Sequence, residues 1–207
     1  MLMSYYFLSE NCFIYNISNK LSLDDNLKIL NIYKSFIKDK AFCHKYKIHD
    51  VVPTYNSIAF HFDYMDVDYL QNAVLARIES IDLNEVIDSK IHYIDVDYNG
   101  EDLAKVSQVL ELDIAEIVKR HTQVEYHIAM LGFKPYFPYL LGLDKSLSVP
   151  RLATPRNRIA AGSVAIGGSQ TTIFPEQSPS GWNIIGVSDF RDFSNFSAGD
   201  KIIFREK

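Results

Sequence analysis

The chain is poor in cysteine and in long apolar runs, and both features narrow its class. Only Cys12 and Cys43 occur among 207 residues, in no metal-like spacing, so a disulfide framework is not expected and the reducing cytoplasm fits best. The N-terminal residues lack the positive and apolar regions of a signal peptide. No stretch of 18 apolar residues predicts a membrane helix. The sequence therefore predicts a globular cytoplasmic protein.

Negative charge exceeds positive charge. The chain has 21 Lys and Arg against 26 Asp and Glu, a formal net charge of -5, and no basic stripe is visible. Nucleic-acid binders need clustered Lys and Arg for phosphate contacts, so no such partner is expected. The signatures of zinc proteases, paired-cysteine metal sites and serine-hydrolase elbows are missing too. Neither a resident metal nor a serine triad is therefore expected.

Strand and helix patterns alternate over about the first 85 residues. Residues 12–17 are strand-like, and alternate residues of 58–62 share one face, which predicts a half-buried strand. Ser22 and Asp66 each precede an amphipathic stretch and are predicted to be helix N-caps. Paired strands with two helices on one side predict a small α+β domain over residues 1–85, with a ferredoxin-like arrangement.

Residues 86–207 are predicted to form a second, mainly β domain. A strand at 91–96 and two short helices at 101–110 and 113–121 come first. Asp113 is predicted to begin the second helix, with Glu116 in the capping-box position. From Val124 onward, Gly, Pro, Ser, Thr and aromatic residues dominate and the strand-like runs are short. This composition is typical of a β-barrel or a β-sandwich with long loops, and the pattern leaves both open.

His121 lies on the apolar face of the second of these helices. Ile114, Ile117, Val118 and His121 follow the i, i+3, i+4, i+7 spacing of one helix face. Such a histidine is either a core residue bonded inside the protein or, at a helix end, a general base that points into a cleft. The pattern alone leaves both interpretations open.

Two Pro-Arg pairs occur five residues apart. Pro150 and Pro155 fix φ, so Arg151 and Arg156 are expected on a stiff, non-helical segment. A planar guanidinium held in this way suits a carboxylate or a phosphate, because its fork donates two parallel bonds. The alternative is that these arginines are solvated or pair with structural acids.

Residues 162–169 almost spell a phosphate-binding loop, but Gly168 stands where the lysine of that motif belongs. Strand-like residues follow instead of a helix, so the segment is not a Walker A motif. It either presents backbone N–H groups to an anion or forms a tight barrel corner, where glycine permits the bend.

The order of these motifs along the chain resembles the KipI family, also known as the B-type subunit of bacterial 5-oxoprolinase or as allophanate hydrolase subunit 1. The family usually has glycine where Tyr136 stands, and glycine adopts backbone angles that tyrosine resists. The likeness covers nearly the whole chain, and its main segments are residues 121–126, 131–140, 150–156, 161–168 and 170–182.

This resemblance implies an α+β N-terminal domain followed by a cyclophilin-like β-barrel. It implies the smaller subunit of a heteromeric, ATP-dependent amidohydrolase that opens 5-oxoproline to glutamate, with ATP as cofactor. The implied partners are a KipA-like larger subunit and a LamB/YcsF-like third subunit. Two alternatives remain open: an allophanate or urea-type amide hydrolase subunit, and a non-catalytic module that inhibits a sensor histidine kinase. The aromatic segment 133–139 is predicted to be an exposed apolar patch for the partner.

Six residues are predicted to line one cleft at the barrel mouth. The arginines are expected to bind a carboxylate or a phosphate, with the serine beside them. The glutamine and the threonine are expected to orient the amide, and the histidine to move protons. The six are Arg151, Arg156 and Ser163 for substrate binding, and His121, Gln170 and Thr171 for catalysis.

Overall fold

A computed structural model describes residues 4–85 and 88–207. The chain divides into two compact units, Met1–Asp88 and Ser89–Lys207, whereas the sequence places the domain boundary between residues 85 and 86. Each unit has its own sheet and its own apolar core. Within the two described ranges, no helix is long and apolar enough to cross a membrane.

The first unit is an antiparallel four-stranded sheet whose core lies against two helices. Its elements are β1 (Ser4–Ser9), β2 (Cys12–Asn16), α1 (Leu23–Lys38), α2 (Lys40–Lys45), β3 (Ile48–Pro53), β4 (Ser57–Phe62) and α3 (Val67–Glu79). The strand order is β1-β2-β4-β3. Alternate residues of β2 and β4 pack on the apolar stripes of α1 and α3, as period-two and period-3.6 patterns require.

The predicted N-caps of this unit are confirmed. Ser22 Oγ accepts a bond of 3.4 Å from the N–H of Asp25, and Asp66 Oδ1 accepts one of 2.8 Å from the N–H of Tyr69. The unit is α+β, but it begins with a β-hairpin, while a ferredoxin-like unit begins β-α-β. The ferredoxin-like arrangement therefore stays a prediction.

The second unit is built on a seven-stranded sheet that forms a nearly closed barrel. Its helices are α4 (Leu103–Leu110) and α5 (Ile114–Thr122). Its strands are β5 (Ile91–Val96), β6 (Glu125–Leu131), β7 (Pro138–Leu141), β8 (Arg156–Ile159), β9 (Ser163–Gly167), β10 (Gln170–Ile173), β11 (Ser178–Ser180), β12 (Asn183–Val187) and β13 (Lys201–Glu206). The sheet order is β12-β9-β10-β7-β6-β13-β5, and β8 pairs separately with β11.

The two edges of this sheet meet at a seam. Asp97, just after β5, exchanges two backbone hydrogen bonds of 2.8 and 2.9 Å with Val187 of β12. Gly100 follows and donates to the carbonyl of Ile185; a Cβ at Gly100 would collide with the Ile184 carbonyl oxygen. Of the two β architectures that the sequence leaves open, the structure thus has the barrel.

The capping box predicted at the start of α5 is wrong in its side chains. Asp113 is the N-cap residue, but its side chain makes no capping bond. Glu116, the predicted partner, instead accepts a bond of 2.7 Å from Arg120 Nε one turn later. An i, i+4 pair with a guanidinium competes directly with the cap for the same carboxylate.

Candidate functional site

His121 is fully buried inside the barrel, at the last turn of α5. Its ring stacks on Phe204, with centroids 4.8 Å apart, and lies 5.3 Å from the ring of Tyr126. Its Nδ1 is 2.7 Å from Tyr98 Oη, and its Nε2 is 2.9 Å from Thr171 Oγ1. Both ring nitrogens are therefore satisfied inside the protein.

The direction of this hydrogen-bond chain is set at Thr171. The Thr171 hydroxyl donates to the carbonyl of Ala165 at 3.1 Å, so its oxygen accepts from the Nε2–H of His121. Nδ1 is then the acceptor and receives the Tyr98 hydroxyl. Burial lowers the pKa of His121 to about 3 and raises the pKa of Tyr98, so both are neutral near pH 7. Proton transfer by His121 stays a prediction.

Arg156 is bound to acids of its own chain. Its Nη1 and Nη2 donate to the two carboxylate oxygens of buried Asp102 at 2.9 and 2.7 Å, and its Nε lies 3.2 Å from Glu101 Oε1. Asp102 also accepts the N–H of Ile184 at 2.8 Å. The guanidinium thus joins β8 to the start of α4 and to β12, the structural role that the sequence left open. Substrate binding by Arg156 stays a prediction.

Arg151 has a different environment. It is exposed, and its guanidinium carbon lies over the Trp182 ring, 5.2 Å from the centroid. No carboxylate in the described part of the chain pairs with it. An arginine stacked on an aromatic face keeps all its N–H donors for another partner. Arg151 is therefore the open cation of the two Pro-Arg pairs.

The segment that carries Arg151 is held on both sides by hydrogen bonds. A rigid backbone of this kind limits the positions that the guanidinium reaches, which is what recognition of a small anion needs. The three bonds are Gly168 N–H to Val149 O at 2.8 Å, Asn183 Nδ2 to Pro150 O at 2.9 Å, and Leu152 N–H to Gly181 O at 2.7 Å.

Two pockets adjoin Arg151, and it lines both. The aromatic pocket has a volume of about 250 Å³ and is lined by Phe133, Phe137, Tyr139, Arg151 and Trp182 among others. The aliphatic pocket has a volume of about 180 Å³, and its walls include Val106, Val109, Val149 and Leu152, with Lys105, Arg151 and Asn183 as its polar members. Sequence reasoning missed Lys105 and Asn183, because neither belongs to a recognisable motif.

Gln170 and Thr171 face opposite sides of the barrel wall, since neighbours along a strand alternate. Thr171 points inward to His121. Gln170 pairs with Gly167, where a Cβ would lie 2.6 Å from the Trp182 ring, so Gln170 is on the Trp182 side. The structure thus brings His121 and Thr171 together inside the barrel and places Gln170 and Arg151 outside it. Their roles in catalysis stay predictions.

The glycine-rich segment 162–168 is strand β9 with its flanking turns. Ser163 is buried and begins the strand, and Gly168 has a φ of 62° at the turn into β10. The N–H of Gly162 donates to the carbonyl of Phe174 at 2.7 Å. The segment is thus bonded to other strands of the barrel, as expected for a tight barrel corner and not for a loop that presents its N–H groups to an anion. Contact of Ser163 with substrate stays a prediction.

The aromatic segment after β6 is partly exposed and partly core. The rings of Phe133 and Tyr136 are 59% and 46% exposed, whereas Phe137 is buried against Phe174. Phe133 and Tyr136 have φ values of 69° and 60°, in the left-handed region that favours glycine. Tyr136 therefore has a positive φ, the backbone conformation expected from the glycine that the KipI family usually has at this position.

Replacing Tyr136 with glycine is expected to leave the free energy of unfolding unchanged or raise it by up to about 1 kcal/mol. Glycine removes the strain of a Cβ at positive φ, about 1–2 kcal/mol, and adds backbone entropy to the unfolded chain. Tyr93 is a matched control, because it is an exposed tyrosine within strand β5; its replacement by glycine is expected to cost about 1 kcal/mol. Urea unfolding measures both, and equal losses would contradict the strain at Tyr136.

Comparison with known proteins gives a consistent result. The family model described as carboxyltransferase domain, subdomain C and D, matches residues 3–202. The B-type subunit of 5-oxoprolinase from Bacillus subtilis (strain 168) is 35% identical over 177 residues, which cover 75% of this chain and 74% of that protein.

Solved structures agree on the fold. The protein TTHA0988 has a TM-score of 0.83 at 26% identity, over 95% of this chain and 40% of its own length, so this chain spans two fifths of that protein. The urea carboxylase of Kluyveromyces lactis has a TM-score of 0.74 at 15% identity, over 99% of this chain and 22% of its own, a likeness of fold alone. From the match over residues 3–202, the chain belongs to the family of the carboxyltransferase domain, subdomain C and D.

Proposed function

We propose that this chain is the smaller, KipI-like subunit of a heteromeric, ATP-dependent amidohydrolase that opens 5-oxoproline to glutamate. A relative that is 35% identical is named as the B-type subunit of 5-oxoprolinase, which supports both the activity and the need for further subunits. The proposed partners are a KipA-like larger subunit and a LamB/YcsF-like third subunit. The proposal includes a cyclophilin-like description of the barrel and a cytoplasmic location.

The observation that carries the proposal is the open guanidinium of Arg151. It lies over Trp182, has no acid partner in the described ranges and adjoins two pockets of small-molecule size. The substrate 5-oxoproline is a five-membered lactam with one carboxylate. Arg151 binds this carboxylate through two parallel charge-assisted bonds, and Trp182 holds the plane of the fork.

The other residues of the predicted site act in this proposal as supports. Arg156 anchors the segment after Arg151 to Asp102, which directly precedes α4 and accepts the N–H of Ile184 in β12. His121 and Thr171 are bonded to each other across the inside of the barrel. Such contacts limit the motion of the wall that carries Trp182 and Arg151, and a site held to within about 0.5 Å is what binding of a small ligand requires.

ATP supplies the free energy of ring opening in the assembled enzyme. The segment of this chain most similar to a phosphate-binding loop does not fit ATP, because residues 163–167 form strand β9 and pair with β10 and β12. This segment is therefore not the ATP site, and the proposal places the phosphate-binding groups of the assembled enzyme in a partner subunit.

The test is turnover by the assembled enzyme. This chain is co-purified with its KipA-like partner and third subunit, and ATP-dependent formation of glutamate from 5-oxoproline is measured. Replacing Arg151 with alanine is expected to lower kcat/KM about 10- to 100-fold, since a charge-assisted bond contributes about 1.5–3 kcal/mol. Arg158 is the matched control, because it is also exposed and lines neither pocket.

Two results would contradict the proposal. One is an assembled complex that consumes ATP but forms no glutamate from 5-oxoproline. The other is an Arg151→Ala complex with the parental kcat/KM, since the proposal assigns the substrate carboxylate to this guanidinium. The Arg158→Ala complex shows whether any loss is specific to the position or follows from the lost charge alone.

A further inference from the structure

The aliphatic pocket is lined by one side-chain oxygen to which the protein donates no hydrogen bond, and this oxygen keeps some contact with solvent. Asn183 is 2% exposed and lines this pocket. Its Nδ2 donates to the carbonyls of Pro150 at 2.9 Å and Ile166 at 3.2 Å. Both partners are acceptors, so the amide orientation is determined. Over residues 4–85 and 88–207, no N–H or O–H donates to Asn183 Oδ1.

An amide oxygen in this position needs a donor. Oδ1 keeps some contact with solvent, so a ligand that displaces water from it must supply a donor in the place of that water. Since both hydrogen bonds of Nδ2 go to the protein backbone, Oδ1 is the atom of Asn183 that is left to bind a ligand in the pocket. The ligand therefore carries an N–H or O–H group.

The charges around the pocket are of one sign. Lys105 of α4 and Arg151 both line it, and neither pairs with a carboxylate in the part of the chain that the structure describes. Two unpaired cations at one pocket favour an anion, and a carboxylate accepts from both a guanidinium and an ammonium. The nearby acids Glu101 and Asp102 are already engaged by Arg156.

The volume and the walls limit the rest of the ligand. About 180 Å³ corresponds to roughly six water molecules at about 30 Å³ each. Val106, Val109 and Leu152 form apolar walls, which favour a hydrocarbon body over a sugar or a nucleotide. A five-membered ring with one carboxylate is of this size, and a nucleoside is too large.

We propose that the aliphatic pocket binds a small cyclic carboxylate with a ring N–H. The carboxylate binds Arg151 and Lys105, the ring packs on Val106 and Val109, and the N–H donates to Asn183 Oδ1. This inference rests on the proposed function for its probe, 5-oxoproline, and goes beyond it by making Asn183 the residue that selects a lactam. A site built to accept a hydrogen bond discriminates strongly against an analogue that lacks the donor.

The test compares three ligands on the purified full chain by NMR titration. They are 5-oxoproline, its lactone counterpart with a ring oxygen in place of N–H, and 2-pyrrolidinone, which lacks the carboxylate. For a ligand of about nine non-hydrogen atoms, a Kd on the order of 1 mM is expected for the lactam. The lactone is expected to bind at least about tenfold more weakly, and 2-pyrrolidinone more weakly still.

Three variants separate the contribution of the pocket from that of the charge. Arg151→Ala is expected to weaken the lactam and the lactone by the same factor, so that their ratio is kept. Val109→Trp fills the pocket and is expected to abolish lactam binding, while Ile114→Trp, also at an exposed apolar helix position, leaves it unchanged. Equal binding of lactam and lactone, lactam binding retained by Val109→Trp, or no binding at about 10 mM would each overturn the proposal.

Failure of this inference and failure of the proposed function are distinguishable. An assembled complex that turns over 5-oxoproline, together with a chain that binds lactam and lactone equally, overturns the role of Asn183 and keeps the function. A chain that prefers the lactam, in a complex without ATP-dependent turnover, keeps the pocket and overturns the function.

Discussion

Replacing Asp102 with alanine is expected to lower the free energy of unfolding of the second unit by about 2–4 kcal/mol. Asp102 is buried and accepts three hydrogen bonds, two from Arg156 and one from the N–H of Ile184. Breaking a buried ion pair costs about 3–5 kcal/mol. The expected loss is smaller than this general cost, because the Arg156 side chain is 28% exposed and keeps Glu101 as a neighbour.

The control for Asp102 is Asp189, which pairs with Lys207 at 2.7 Å on the surface. Asp189→Ala is expected to change stability little, since water screens an exposed pair. Urea unfolding at pH 7 measures both variants. Similar losses in the two would mean that the Asp102–Arg156 pair is no more than a surface contact.

Acidification is expected to destabilise the second unit between about pH 6.5 and pH 3 through His121. Burial lowers the pKa of this imidazole from 6.5 to about 3 in the folded chain, so the unfolded chain binds the proton more readily. Its contribution to stability is complete above pH 6.5 and is lost as the pH falls towards 3. Linkage gives roughly 4 kcal/mol over the whole window, and a little under half of it by pH 5.

A His121→Gln variant isolates this contribution, because glutamine keeps hydrogen-bonding capacity and does not titrate. His127 has a pKa lowered by burial as well, but it is present in both proteins and cancels in the difference. The stability of the parent is expected to fall more steeply than that of the variant from pH 6.5 to pH 5. Parallel pH profiles would show that His121 is reached by protons in the folded state.

The helix caps and the apolar helix face of His121 follow from short-range patterns. Ser22 and Asp66 cap helices because each needs only the N–H three residues ahead, and a sequence contains that spacing. The helix face that buries Ile117 and Val118 also buries His121, which is one of the two positions that the pattern left open. The capping box predicted for Glu116 was wrong, because its carboxylate has two possible partners within one helical turn. It accepts from Arg120 Nε instead of from the N-cap N–H.

The sequence by itself determined that an α+β part is followed by a mainly β part, which segments are amphipathic, and that the segment around Arg151 is stiff. It did not separate Arg151 from Arg156, because both follow a proline and their local contexts are alike. The tertiary structure made that distinction, by bringing Asp102, 54 residues away, to Arg156 and the ring of Trp182 to Arg151. Asn183 likewise reaches the Arg151 segment across 33 residues. Barrel closure creates these contacts, and no spacing along the chain encodes which distant partner arrives.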